Sequence, residues 1–234
     1  MYFDGEREVV GIIAAMKAEI DDLKSRITDP GTVEISGITY VYGRLGKYDV
    51  VAAQCGIGKV FAAVCAQTMI LTFKPGRIIN IGVGGSLTPE LDIGDIAIAE
   101  SCVQHDMDTS AVGDPVGLIS GINIINIPGD KEIADELLKT AEGLGIKAKR
   151  GVIASGDCFV SSSAKKKYIA DTFNAIVCEM EGAAIGHVCY INNMRYCVVR
   201  AVSDNGDEDS GKDYVASLNK ASAAALKLIY GYLN

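Results

Sequence analysis

The chain has 234 residues, of which 49% are hydrophobic and 22% charged, so neither a disordered nor a fibrous protein is expected. This length suits one large α/β domain, and we expect a single domain over residues 1–234. Lys and Arg number 22 against 30 Asp and Glu, which gives a formal net charge of −8. Such a surface repels phosphate backbones and anionic lipids, so the composition argues against binding to nucleic acids or membranes.

The seven cysteines indicate a reducing compartment. Their number is odd, no two have C-x-x-C spacing, and most lie in apolar runs, which is typical of buried, reduced thiols. Asp4, Glu6 and Glu8 argue against a signal peptide, and no apolar run approaches the ~18 residues of a transmembrane helix. We therefore expect a cytoplasmic protein.

The first third of the chain alternates between strand-like and helix-like patterns. An apolar run at 9–15 predicts a buried strand, and apolar residues spaced four, three and four apart over 16–27 predict an amphipathic helix. Alternation over 33–54 predicts antiparallel strands that turn at 43–47. The next helix, about 59–73, is apolar on nearly all sides, so it is either deeply buried or part of a subunit interface.

The rest of the chain continues the alternation of strands and helices. Strands are predicted at 77–83, 95–103, 148–155, 175–178 and 196–203. Helices are predicted at 130–144, 163–171, 180–190 and 215–233. Residues 106–128 lack a clear period, and a loop of that length tends to be functional. The whole pattern predicts a three-layer α/β/α sandwich with a mixed central sheet.

Two glycine-rich segments resemble nucleotide-binding motifs whose other requirements are not met. At Gly82–Leu87 the third glycine of G-x-G-x-x-G is missing and no helix follows. Next to Gly58-Lys59, the P-loop positions hold Ala53 and Val60 instead of Gly and Ser or Thr. These glycines are therefore either tight turns or backbone pressed close to a flat ligand at the carboxyl ends of strands.

The histidines and two short charge runs carry less information. His105 and His187 are isolated in the sequence, and we expect structural roles for both. Because no spacing of metal-ligand type occurs, neither a metal nor another cofactor is expected. The runs Lys165–Lys167 and Asp207–Asp209 are expected to be solvated, the second on a mobile loop.

Four carboxylates lie at strand-to-helix junctions, on the side of an open sheet where ligands bind. Glu19 is one turn into the first helix, and Asp204 directly follows the last strand. Glu179 and Glu181 lie between a strand and a helix. Each alone could be a helix cap or a solvated charge, but together they suggest an acid/base site. Arg200 is costly to bury without an anionic partner, and a carboxylate such as Glu19 could supply one.

Five segments occur in the order of one known family: Gly11–Met16 with Glu19, Gly56–Val60, Ser155–Asp157 with Phe159, Glu179–Glu181 and Val199–Asp204. On these segments the sequence closely resembles the bacterial 5′-methylthioadenosine/S-adenosylhomocysteine nucleosidases, within the nucleoside phosphorylase superfamily. The resemblance runs from about residue 9 to residue 230. It implies hydrolysis of the N-ribosyl bond of these two nucleosides, with release of adenine and a 5-thioribose. It also implies a place in methionine salvage and, together with the apolar helix at 59–73, a homodimer.

The resemblance implies roles for the catalytic positions. Asp204 would be the general acid that protonates adenine N7, and Ser203 would help to hold it. Glu19 would be the general base that polarises the water attacking C1′, and Arg200 would help to orient Glu19 and the water. Protonating the purine relieves the negative charge that develops on it as the bond breaks, which lowers the barrier.

The resemblance also implies how the substrate is bound. Glu181 would accept hydrogen bonds from the ribose 2′- and 3′-hydroxyls, with Met180 under the sugar. Phe159 would stack on adenine, and the backbone of Val160 would read the base edge.

The remaining candidate binding residues are Met16, Val83, Gly84, Val112 and Tyr214. Tyr214 matches a position that usually holds an aromatic near the thioether. Two residues depart from the family pattern. Val83 stands where many relatives carry a hydroxyl residue near the water, and Val112 where some carry an aromatic that closes over the 5′-substituent from a neighbouring subunit.

Three alternative functions remain open at this point. A phosphate-dependent nucleoside phosphorylase would need an anion pocket of several Arg and Ser, whereas Arg44, Arg77 and Arg200 are isolated in the sequence. A hydrolase for another purine nucleoside, such as futalosine, is the second. A non-catalytic nucleoside-binding protein, the third, would be expected to lack Glu19 or Asp204, and both are present.

Overall fold

A mixed β-sheet lies at the centre of the computed structural model, which describes residues 2–234. The ten strands within that range are β1 (Val9–Ala14), β2 (Thr28–Ile35), β3 (Ile38–Leu45), β4 (Tyr48–Gln54), β5 (Arg77–Ser86), β6 (Ile96–Gln104), β7 (Ile127–Pro128), β8 (Ala148–Ser155), β9 (Ala175–Glu179) and β10 (Arg195–Asp204). The strand order is β10-β6-β8-β9-β5-β1-β4-β3-β2, and β7 pairs with β6. The predicted antiparallel insert is the meander β2-β3-β4, whose last strand pairs in parallel with β1.

One half of the sheet closes on itself. β10 pairs in parallel with β5 and antiparallel with β6, so the strands β10, β6, β8, β9 and β5 form a ring. The other half, from β1 to β2, extends from β5 as an open wing. A strongly twisted sheet brings its ends together in this way, and the closure gathers the ends of β5, β9 and β10 at one place.

Six helices cover the sheet: α1 (Lys17–Ser25), α2 (Lys59–Phe73), α3 (Lys131–Gly143), α4 (Ser163–Phe173), α5 (Gly182–Ile191) and α6 (Ser210–Leu233). Successive strand residues face opposite sides, so Val10 and Ile12 pack with α1, α3 and α6, whereas Ile13 packs with α2 and α5. The predicted three-layer α/β/α architecture is thus confirmed. Gly11 lets α2 approach β1 closely, because a Cβ there would lie 2.5 Å from Met69 Sδ.

Most predicted elements are confirmed with shifted ends, and the largest shifts have a tertiary cause. The strand predicted at 77–83 continues to Ser86, because β10 and β9 pair with its glycine-rich end. Gly82–Gly85 are therefore extended strand and not tight turns. The helix predicted at 215–233 begins at Ser210, and the loop at 106–128 contains a 3₁₀ turn at Ser110–Val112 as well as β7.

The acidic run at Asp207–Asp209, expected to be solvated, makes one specific contact with a neighbouring helix. Glu208 is exposed, but its carboxylate accepts hydrogen bonds from the backbone N–H of Ser163 at 2.9 Å and from the Ser163 hydroxyl at 2.6 Å. It therefore joins the segment before α6 to the first turn of α4, where the helix dipole favours negative charge. In the basic run, Lys165 and Lys167 are exposed, as expected.

Candidate active site

A cavity of about 320 Å³ opens where β1, β5, β9 and β10 end. Its lining is Ala15, Met16, Glu19, Ile57, Val83, Gly84, Gly85, Cys158, Phe159, Val160, Cys178, Glu179, Met180, Glu181, Ser203, Asp204 and Tyr214. Eleven of the thirteen sequence-predicted site residues are in this set. The two others are Arg200, which is buried behind the lining, and Val112, which is 82% exposed on the 3₁₀ turn.

Glu19 lies at the first turn of α1, and its side chain is held by backbone donors. Its Oε2 accepts from the N–H groups of Ala15 at 3.1 Å and Met16 at 2.9 Å, and its Oε1 accepts from Val83 N–H at 3.0 Å. The residue is only 3% exposed. Burial raises the pKa of this carboxyl, although the charge of Arg200 and the three N–H groups oppose the shift. A fixed carboxylate with a raised pKa is a suitable proton acceptor.

Asp204 is the last residue of β10 and is buried. The Ser203 hydroxyl donates to its Oδ2 at 2.9 Å, and the N–H of Gly206 donates to its Oδ1 at 3.0 Å. Gly85 leaves room for this carboxylate, since a Cβ at that position would lie 2.7 Å from Asp204 Oδ1. The glycine in β5 therefore permits a close approach by the neighbouring strand.

Glu181 precedes α5, and Gly58 at the start of α2 donates its N–H to Glu181 Oε1 at 2.9 Å. Burial and the nearby Glu179 carboxylate raise the pKa of Glu181, while Arg200, 3.6 Å from its Oε2, opposes this. Gly58 adopts a φ of +99°, in the left-handed region, as expected for a tight turn.

Arg200 has a carboxylate partner, as the sequence suggested, but the guanidinium ion-pairs with Glu179 and not with Glu19, the example considered. Arg200 is 1% exposed and also donates to Asn80 Oδ1 at 2.6 Å. Glu179 in turn accepts from the Ser155 hydroxyl and, at 2.9 and 2.8 Å, from the N–H groups of residues 181 and 182. Arg200 therefore fixes the start of α5, and with it Glu181, instead of Glu19.

The sequence placed Glu179 only among four carboxylates of a possible acid/base site, and it indicated no individual role for Ser155 or Asn80. The available signals were weak: Asn80 is the one polar residue in the apolar run 78–81, and Glu179 forms an alternating acidic pair with Glu181. Neither pattern reveals that these side chains meet Arg200, since the contacts join strands that are far apart in the sequence.

Aromatic and sulfur-containing side chains form the outer part of the cavity. The Phe159 ring is 47% exposed and lies edge-on to Tyr214, with centroids 5.7 Å apart. The Tyr214 hydroxyl donates to Met16 Sδ at 3.1 Å. An exposed ring at the mouth of a cavity offers a face on which a flat heterocycle stacks.

Neither histidine lines the cavity. His105 is buried against Gly156, and His187 lies 3.4 Å from the Gln104 side chain. Over residues 2–234, no group of three or more His, Cys, Asp or Glu residues is placed to hold a metal ion. In the same range, no helix is both long and apolar enough to cross a bilayer. All seven cysteines are free, and six of them are buried.

The chain belongs to the phosphorylase superfamily, whose family model matches residues 9–234. The predicted resemblance is confirmed by the individual relatives. A 5′-methylthioadenosine/S-adenosylhomocysteine nucleosidase of Shewanella sediminis is 35% identical over 226 residues, which cover 96% of this chain and 98% of the relative. An aminodeoxyfutalosine nucleosidase of Campylobacter jejuni is 36% identical over 205 residues, covering 88% and 89%.

The fold is also shared with solved structures. The 5′-methylthioadenosine/S-adenosylhomocysteine nucleosidase of Neisseria meningitidis, in complex with methylthio-immucillin-A, superimposes with a TM-score of 0.93. It is 30% identical, and the match covers 96% of this chain and 98% of that one. The predicted nucleoside phosphorylase/hydrolase fold type is therefore confirmed.

Proposed function

We propose that the protein hydrolyses the N-ribosyl bond of 5′-methylthioadenosine and S-adenosylhomocysteine, releasing adenine and a 5-thioribose. The observation that carries the proposal is one cavity lined by four buried carboxylates, Glu19, Glu179, Glu181 and Asp204, with an aromatic face at its mouth. The relatives named as nucleosidases support the same activity.

In the proposed mechanism, Asp204 protonates the purine at N7 as the bond to C1′ lengthens. The Ser203 hydroxyl and the Gly206 N–H hold its two oxygens, so the carboxyl needs no reorientation during the reaction. A positioned acid of this kind typically contributes ~10²–10⁴ in rate. Phe159 stacks on the base, and the backbone of Val160 contacts its edge.

On the sugar side, Glu19 accepts a proton from the water that attacks C1′. The carboxylates of Glu19 and Glu181 stabilise the positive charge that develops on the ribose ring. Glu181 binds the 2′- and 3′-hydroxyls, and Met180 lies under the sugar. Arg200 acts indirectly, through Glu179 and the start of α5.

The lining of the cavity favours water over phosphate as the nucleophile. Within residues 2–234, none of the lining side chains is a Lys or an Arg. The nearest guanidinium in the site, Arg200, is already paired with Glu179. Phosphate would enter an acidic cavity without a cation to neutralise it, which is unfavourable.

A second candidate substrate is aminodeoxyfutalosine. The Campylobacter jejuni relative that is named for this substrate is 36% identical, which is close to the 35% of the Shewanella sediminis relative. Aminodeoxyfutalosine would present adenine and a ribose to the same carboxylates as the two substrates proposed above, and it differs from them in the 5′-substituent. The choice therefore depends on the mouth of the cavity, where Met16, Ile57 and Tyr214 lie.

Adenine release from a nucleoside panel, with and without phosphate, tests the proposal. The panel holds 5′-methylthioadenosine, S-adenosylhomocysteine, aminodeoxyfutalosine and adenosine. Because one methylene-sized group in an apolar pocket is worth about 1–3 kcal/mol, we expect kcat/KM for methylthioadenosine to exceed that for adenosine by tens- to hundreds-fold. Equal kcat/KM values for methylthioadenosine and adenosine would contradict the proposed specificity. A requirement for phosphate would contradict hydrolysis.

We further propose a homodimer. Apolar side chains on and beside α2 are exposed, and Val60 and Phe61 are 74% and 57% accessible. Ile57 belongs both to this surface and to the cavity lining, so a partner seated there would reach the mouth of the site. Burial of such a patch in a two-fold contact is the usual way to remove it from water. A monomer in sedimentation at micromolar concentration would contradict the dimer.

The chain is proposed to fold as one domain over residues 1–234, because β10, which lies late in the chain, pairs with β5 and β6, which lie in its middle. A single cooperative unfolding transition is expected. The free, mostly buried thiols fit a reducing, cytoplasmic compartment, and the proposed substrates fit a role in methionine salvage.

A further inference from the structure

A ring of hydrogen bonds joins three segments beside the cavity: the residues after β6, the start of α2 and the loop 156–160. Asp106 Oδ1 lies 2.7 Å from Lys59 Nζ, and its Oδ2 accepts from the N–H of Asp157 at 2.9 Å. Asp157 Oδ1 then accepts from the N–H of Lys59 at 2.8 Å. Lys59 and Asp157 are thus joined both directly and through Asp106, which closes the ring.

Two members of this ring, Asp157 and Lys59, are close in sequence to residues of the proposed substrate site. Asp157 is two residues before Phe159, the ring proposed to stack on adenine. Lys59 follows Gly58, whose N–H donates to Glu181 at 2.9 Å. Asp106 itself does not line the cavity. Asp106 therefore acts on the two sides of the site indirectly, through Asp157 on the purine side and through Lys59 on the ribose side.

The two ends of the loop are anchored independently of Asp106, since the Gly156 N–H donates to the Glu179 carbonyl at 3.1 Å and Val160 is buried in the core. Between them, Lys165 Nζ donates to Cys158 Sγ at 2.8 Å, and Asp157 is held by Asp106 and Lys59. Residues 156–162 are neither helix nor strand, and Phe159 is half-exposed. His105 packs against Gly156 where a Cβ would collide with the imidazole ring. The adjacent residues His105 and Asp106 therefore hold the start of the loop by packing and by hydrogen bonding.

Asp106 is suited to hold both partners because it is charged. Its side chain is 30% exposed and that of Lys59 is 19% exposed, so the pair is partly shielded from water. Partial burial opposes ionisation of Asp106, but the Lys59 ammonium and the Asp157 N–H outweigh it and keep its pKa below the ordinary value. Hydrogen bonds to an ionised acceptor are stronger than neutral ones.

We propose that Asp106 is a positioning residue for substrate binding, which holds the loop of Phe159 and the turn of Gly58 in register across the cavity. This role rests on the proposed nucleosidase function, because it concerns how the purine and ribose sites are kept at a fixed separation. A residue that positions groups for binding affects the bound substrate and the transition state alike, so its loss changes KM more than kcat.

The test compares Asp106→Ala with Asp108→Ala, which removes the same charge two residues further along. Asp108 bonds only locally, to the N–H of Ser110 at 2.8 Å. We expect Asp106→Ala to raise KM for 5′-methylthioadenosine about tenfold, with kcat within about threefold of wild type. Asp108→Ala is expected to leave both constants unchanged. A KM for Asp106→Ala equal to that of the control would overturn the proposal.

Two further variants separate positioning from a general loss of stability. Asp106→Asn keeps an acceptor for the Asp157 N–H. Lys59→Met removes the ion pair and a longer hydrogen bond from Lys59 Nζ to Gln104 Oε1 at 3.3 Å, but keeps the Lys59 N–H. Each is therefore expected to raise KM by only a few fold. Because Lys59 acts through Asp106, the double variant Lys59→Met/Asp106→Ala should match Asp106→Ala alone. Fully additive changes in KM would refute the coupling.

A measurement without substrate distinguishes this proposal from the proposed function. Hydrogen exchange of the amides at 157–160 is expected to be faster in Asp106→Ala than in Asp108→Ala, since the Asp157 N–H loses its acceptor. Equal exchange rates would refute the positioning role. If the wild-type protein released adenine from no nucleoside, the proposed function would fail, yet the exchange rates would still decide the role of Asp106.

Discussion

Replacement of Glu19 by Gln tests the proposed general base while preserving the shape of the side chain. The carboxylate receives two N–H donors at Oε2, from Ala15 and Met16, and one at Oε1, from Val83. Gln has one acceptor oxygen, which we expect to face the two donors. Its amide group then points at the Val83 N–H, so that one hydrogen bond is lost and two donors face each other.

The expected change in rate is larger than the expected change in stability. Loss of the base should lower kcat by ~10²-fold or more, which corresponds to about 2.7 kcal/mol of transition-state stabilisation. The unpaired Val83 N–H costs about 1–3 kcal/mol of folding free energy. This cost is partly offset, because a neutral amide carries a smaller desolvation penalty than a buried carboxylate.

The difference in stability between wild type and Glu19→Gln depends on pH, and the direction of this dependence follows from the pKa of Glu19. Burial raises this pKa in the folded state above its ordinary value of 4.5, so the folded protein holds a proton at this site more readily than the unfolded chain. The contribution of Glu19 to stability is therefore largest at low pH and is lost as the pH rises from the unfolded pKa through the folded one. As the pH rises over that interval, the Tm of Glu19→Gln should increase relative to the Tm of wild type.

Adenine release under saturating 5′-methylthioadenosine gives kcat, and the matched control is Asp21→Asn on the same helix. Asp21 is exposed and pairs only with Lys17, at 3.7 Å. The control is expected to keep wild-type kinetics. If Glu19→Gln raised KM and left kcat unchanged, Glu19 would be a binding residue and not the general base.

Two other predictions concern the purine and ribose sides of the cavity. Asp204→Asn should abolish most adenine release while a non-hydrolysable analogue still binds, as measured by calorimetry, because an amide keeps the shape but donates no acid proton. Near-wild-type kcat would exclude Asp204 as the acid. A 2′-deoxy substrate should lose a charge-assisted hydrogen bond to Glu181 worth about 1.5–3 kcal/mol, measured as kcat/KM against the ribo-substrate. A loss no larger in wild type than in Glu181→Gln would contradict this contact.

The order and type of the secondary-structure elements followed from local patterns. The apolar segment at 59–73 predicted α2 with the observed bounds, and the helix predicted from residue 130 is α3, which Asp130 caps by accepting from Ile133 N–H at 3.0 Å. Such features depend on residues within one or two turns, which the sequence displays directly. The concentration of carboxylates at strand ends likewise predicted where the cavity lies, because chain direction and strand ends can be read from the sequence.

Tertiary structure alone decided which side chains meet. Alternation places Arg200 on the same side of β10 as Val198 and Val202, but nothing local shows that α2 and α5 cover that side. Because Glu179 closes the start of α5 there, it pairs with Arg200, and Glu19 on α1 does not. The double pairing of β10 and the ring through Asp106 have the same origin. Each joins segments tens of residues apart, whose register is set by the twist and closure of the whole sheet.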